Sequence, residues 1–174
     1  MIPTDKLVPR GLFYATLTRN GEVIWTDEFP NTVVTVGKNL ILDTVLAGSA
    51  YTTTGPFMGL VSSVSYSAIS AADTMASHSG WTEAGGTNAP QYSGTRKTCV
   101  WNAAASGAKA LSASLTFTFT AGGTVKGGFI VTGSSAVATL DSTAGTLLSA
   151  GLFTGGDRTV VNGDTLSVSY SLSL

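Results

Sequence analysis

Two stretches near the end of the chain alternate without a break: "SLTFTFT" at residues 114–120 and "TLSVSYSLS" at 165–173. In an extended chain successive side chains point to opposite faces, so Leu115, Phe117 and Phe119 line one side and the threonines the other. The last stretch repeats the design, with Leu166, Val168, Tyr170 and Leu172 opposed by serines. A helix of 3.6 residues per turn would scatter these apolar groups around its circumference. Both stretches therefore demand β-strands with one face in a core and the other covered by hydroxyls.

The same reading extends along the chain. Residues 12–18 and 22–29 flank Asn20-Gly21, a pair that accepts positive φ at both positions and so signals a tight hairpin. Further strands are expected at 56–63, 96–103, 124–132, 145–153 and 158–161, with "AGG" at 121–123 and "NGD" at 162–164 as turns. Asp73 is expected to cap a single turn stopped by Gly80, and residues 84–95 to form an exposed loop. Short strands at this spacing predict an all-β sandwich of the jelly-roll or Greek-key kind. No repeat of fixed period is visible, which disfavours a propeller or solenoid.

One segment breaks the pattern. In "KNLILDTVLAG" the residues Leu40, Ile41, Val45 and Leu46 are spaced like one helix face, and Gly48 stands where a C-cap belongs. A short helix over about 37–47 follows, with those four side chains inward and Lys38 and Asp43 outward. Such a helix can plug an open end of the sandwich or cover a sheet edge. Residues 1–10 hold Pro3 and Pro9 and no helical pattern, so they are expected to form an N-terminal arm that orders against another subunit, ahead of a single domain at 11–174.

Composition narrows the function. With 174 residues the chain has room for a genuine core, and its nine basic and ten acidic residues leave a net charge of −1. That balance gives no footprint for nucleic acid or anionic lipid; Arg96-Lys97 is the closest approach to a basic cluster. Charged residues make up 11% of the chain, against roughly 25% in ordinary soluble domains. Much of the surface is expected to be covered by partners; the alternative is a surface of Ser, Thr and Gly, which are soluble without charge. Cys99 is alone and cannot form an intrachain disulfide; it reads as a small core hydrophobe. No apolar run of membrane-spanning length exists, and no basic-then-apolar leader suggests export by the general secretory route.

The residues offer little chemistry. His78 is the sole histidine and sits among small polar residues without a triad motif. "LLSAG" at 147–151 has Leu147 where a nucleophile elbow needs glycine. Asp141, Asp157 and Asp164 fall in loops rich in oxygen ligands, but their spacing fits no calcium loop, and turn aspartates ordinarily cap backbone N–H groups. Asp27 and Glu28 lie on opposite faces of a strand and cannot form a glycosidase acid/base pair. Of Trp25, Trp81 and Trp101, only Trp81 lies beside a loop where it could meet a partner. No catalytic, cofactor or metal residues are assigned, and the chain is not expected to be an enzyme.

Taken in order, "ADTMASHSGWTE", "YSGTRKTCVWNAAASG", "TFTFTAGGTVKGGFIV", "GTLLSAGLF" and "DRTVVNGDTLSVSYSLS" resemble the cement, or decoration, proteins of tailed bacteriophages. The resemblance covers about residues 35–174. It implies a sandwich subunit on the outer surface of the virion, made in the host cytoplasm, which binds the major capsid protein across capsomer boundaries and stabilises the head. A homo-oligomer, dimer or trimer, is expected, with no nucleic-acid or membrane partner. The alternative is a tail or fibre component or a glycan-binding module that recognises the host surface, for which Tyr51, Trp81 and Tyr92 would form an exposed aromatic patch.

Overall fold

A computed structural model describes residues 8–46 and 54–174. Among these it contains eleven strands and one helix: β1 (Arg10–Arg19), β2 (Glu22–Pro30), β3 (Thr32–Val33), α1 (Thr35–Leu46), β4 (Phe57–Ser62), β5 (Lys97–Thr98), β6 (Ala108–Ala110), β7 (Leu115–Thr118), β8 (Gly123–Thr132), β9 (Thr146–Leu152), β10 (Arg158–Val160) and β11 (Thr165–Ser173). The strands form two antiparallel sheets, an all-β sandwich. One sheet runs β2-β1-β11-β6, with β7 also on β11; the other runs β3-β9-β8-β4-β5, with β10 on β8.

The opening hairpin forms as its turn requires, with Asn20 at φ 52° and Gly21 at φ 83°. Gly163 in "NGD" is also left-handed, at φ 91°, whereas the turn at 121–123 uses no left-handed residue. In the first sheet the alternation predicted for β7 and β11 holds: Phe117, Leu166, Val168 and Tyr170 are buried, and they pack with Phe13, Leu17 and Phe29. Rings fill this core, with Phe13 stacked on Phe29 at 5.0 Å and tilted against Tyr170 at 4.6 Å. Cys99 lies among them, and burial pushes its thiol up to about 12.

The second sheet is buried on both faces. On β8, Val125 and Ile130 belong to the core shared with the first sheet, while Phe129 and Val131 belong to a second core behind it. Met58 and Leu60 on β4 likewise face the shared core, and Val61 faces the other way. Met75 and Trp81, from the long connection between β4 and β5, close the second core from outside. The loop read as exposed at 84–95 is packed inward instead, with Ala84 and Tyr92 in the core shared by the two sheets and Pro90 buried. Apolar β4 and β9 thus read as continuous buried runs because they have no solvent face.

Several boundaries differ from expectation. The strand read at 96–103 shrinks to Lys97–Thr98 plus a bridge from Trp101 to Leu111, because Arg96 turns inward to an ion pair. Helix α1 begins at Thr35 rather than 37. Gly37 lets it lie close on β9, since a Cβ there would collide with the Leu148 carbonyl. Leu40 and Ile41 are half-buried, but Val45 and Leu46 are 73% and 76% exposed, and Leu42 is 54% exposed. The burial expected of Val45 and Leu46 is therefore wrong: the helix packs on the sheet through its first turn and one flank, and its last turn is exposed, with Val45 at the rim of a hollow beside Leu148. Gly48 and Tyr51 lie outside the described residues, as do residues 1–7 of the expected arm. Arg10 already belongs to β1, where it pairs with Ser173.

Candidate interaction surface

Because the second sheet is covered on both sides, the outer face of the first is the broad sheet surface open to solvent. Its composition follows from strand alternation and register. Leu12, Tyr14, Thr16 and Thr18 of β1 stand beside Ser171, Ser169, Ser167 and Thr165 of β11. On one flank β2 adds Pro30, Glu28 and Thr26, and on the other β7 adds Thr116 and Thr118. The face is four strands wide and carries two charged side chains, Glu28 and, at a corner, Arg10. Leu12 is 38% exposed and Tyr14 47%; between them and Ser169 lies a shallow depression of about 310 Å³. It sits where β7 ends and β6 begins, so part of β11 has no strand partner on that side.

A second concavity is apolar. Pro56, Leu148 and Leu172 separate two adjoining hollows of about 240 and 420 Å³, one walled by Leu40, Ile41 and Val45 of α1, the other by Trp101 and Lys109. It opens at the end of the sandwich where β1 begins, since Gly11 pairs with Leu172.

The residues singled out from sequence do not meet in one site. Trp81 is 1% exposed and donates from Nε1 to Asp73 at 2.9 Å, so it is core and not a contact residue. Asp73 caps backward, accepting from the Ser70 N–H at 2.8 Å, and not forward as expected. His78 stacks on Trp81 at 4.0 Å, with Nδ1 3.0 Å from the Trp81 carbonyl oxygen. Tyr92 is 4% exposed; burial pushes its hydroxyl well above the ordinary tyrosine value, and that hydroxyl has no hydrogen-bond partner. An exposed aromatic patch of Trp81 and Tyr92 is thereby excluded: Trp81 fills the core behind the second sheet, and Tyr92 the core between the sheets, edge-on to Phe117 at 5.0 Å.

The three loop aspartates lie apart and are occupied. Asp141 accepts from the Thr87 N–H at 2.6 Å, Asp157 pairs with Lys126 at 2.7 Å, and Asp164 takes two hydrogen bonds of 2.8 Å from Arg19. The Arg19 hydrogen bonds hold the Asp164 carboxyl below its usual range, against the opposing effect of burial. No group of three metal-ligating side chains occurs among the described residues. Ser149 of "LLSAG" is buried, its hydroxyl 3.3 Å from that of Tyr170. Asp27 turns toward Thr154 and Gly155 while Glu28 takes the outer face, the separation expected of strand neighbours. Trp25 is half-buried beneath Arg158, whose guanidinium lies 4.4 Å from its ring centre.

Sequence reading missed a buried ion pair. Arg96, read as half of a weak basic pair, is buried against Glu83, and neither residue lay in a recognisable motif. No known family, curated protein or solved structure matches this chain.

Proposed function

We propose that the protein is a structural subunit of a tailed-phage virion that binds the outside of the head and cements neighbouring capsomers through the outer face of its first sheet. The observation that carries this reading is the asymmetry of the sandwich. One sheet is sealed on both sides, and the other offers a broad, flat face of serine, threonine, Leu12 and Tyr14 with little charge. Desolvating such a face costs little compared with desolvating ionised groups, so a second protein can lie flat on it. Each apolar contact adds roughly 25 cal/mol per Å² before association costs. Many copies on a symmetric lattice convert modest contacts into firm attachment. The segment resemblance to decoration proteins points the same way. The host-surface alternative loses its aromatic platform with Trp81 and Tyr92 in the core.

Co-sedimentation with phage heads stripped of this protein tests the proposal. The wild type is expected to pellet with the heads, and the double substitution Thr16→Lys, Ser169→Lys to stay in the supernatant while keeping its circular dichroism and melting temperature. A wild type that ignores the heads, or a double variant that binds equally well, contradicts it.

A further inference from the structure

We propose that the depression on the outer face of the first sheet takes a basic side chain, lysine or arginine, from the capsid shell, with Glu28 as its counter-ion. The inference rests on the capsid reading and specifies the chemistry of the partner. Register places Glu28, Tyr14 and Ser169 in one row across β2, β1 and β11, and Pro30, Leu12 and Ser171 in the next. Glu28, Tyr14, Leu12 and Ser169 all line the depression of about 310 Å³. Glu28 is exposed and takes part in none of the ion pairs among the described residues. Arg10, the other charge on this face, stands four residues before Tyr14 along β1, roughly 13 Å away in an extended strand.

Glu28 is the one costly group on an otherwise neutral face. A protein laid flat on that face strips water from the carboxylate, and an ionised carboxylate left without water or partner is strongly unfavourable. An apolar neighbour does not offset that cost, and an acidic one adds repulsion. A cation does offset it, because a charge-assisted hydrogen bond strengthens as water leaves. The surroundings suit a long basic side chain, whose methylene stem can lie along Leu12 with its charged end over the Tyr14 ring. A tyrosine ring and a carboxylate already hold a lysine elsewhere in this chain: Lys126 Nζ lies 4.5 Å from the Tyr66 ring centre and 2.7 Å from the Asp157 carboxylate.

Co-sedimentation titrations with stripped heads, read as apparent affinities, test this. Glu28→Gln keeps the shape and removes the charge, and is expected to weaken binding about tenfold, while Glu28→Lys, which opposes two cations, should weaken it about a hundredfold. Glu22→Gln, at the hairpin end of the same strand, removes an equal charge away from the depression and should bind like the wild type. All three variants should keep the wild-type circular dichroism and melting temperature, since both glutamates are exposed. Equal affinities for the wild type, Glu28→Gln and Glu28→Lys would overturn this inference and leave the capsid reading standing. Equal losses in Glu22→Gln and Glu28→Gln would overturn it too, by showing that net charge and not the position of Glu28 matters. A wild type that ignores the heads removes both readings.

Discussion

The Glu83 carboxylate and the Arg96 guanidinium meet through two hydrogen bonds, 2.9 Å from Nε and 2.7 Å from Nη2, with 3% and 0% of their side chains exposed. The pair is fully engaged. Arg96 also donates to the Val137 and Ser142 carbonyls, Glu83 accepts from the Asp141 N–H, and Phe129 lies 5.5 Å beneath the guanidinium. It therefore fastens the cover of the second sheet to the 137–142 loop. Burial acts to raise the Glu83 carboxyl, and the Arg96 hydrogen bonds and charge act against it.

Removing one partner leaves the other charged and without water. Glu83→Ala or Arg96→Ala is expected to cost about 3–5 kcal/mol in urea unfolding. The double variant Glu83→Leu, Arg96→Met should cost clearly less than the sum of the two. Additive losses would mean that the two side chains do not depend on each other.

Trp81 distinguishes core from contact. Trp81→Ala is expected to destabilise by about 3–5 kcal/mol through the cavity it leaves. Trp81→Phe should cost less, through loss of the bond to Asp73. Chemical denaturation reads both. A Trp81→Ala variant as stable as the wild type would place this ring at the surface.

Cys99 is 4% exposed and its thiol is pushed up to about 12. At pH 8 it should be almost wholly protonated and inert to a thiol reagent in the native protein, reacting at the rate of unfolding. Rapid modification under native conditions would contradict the packing described.

Asp164 links stability to acid. Its native carboxyl titrates below the unfolded value because Arg19 donates to it. Its contribution is therefore fully present above about pH 4, where the unfolded group is ionised, and is lost as pH falls through the lower native value. Asp164→Asn should flatten that part of the melting temperature profile. An unchanged slope would show that Arg19 does not stabilise the ionised form.

Much of the sandwich was legible because its strands obey a period of two. Phe117 and Tyr170 point inward for the reason their threonine and serine neighbours point out. Asn20-Gly21 likewise specified its own turn. The long connection between β4 and β5 was not legible: Trp81, Tyr92 and Arg96 lie in Gly- and Ser-rich segments without periodicity, and only tertiary packing buries them. The helix was legible in spacing but not in orientation, because which side packs is set by the approach of Gly37 to Leu148. The interaction surface could be read in part. The strand pattern supplied its hydroxyls, but its isolation as the open sheet face depends on what seals the other sheet.

Cryo-electron microscopy of the assembled particles, with and without this protein, tests the central claim most directly. The account predicts density bridging neighbouring capsomers, with Thr16, Tyr14 and Ser169 turned toward the shell and heads that leak or break more readily when the protein is missing. Density confined to the tail, or seated on the head with that face turned to solvent, would contradict it.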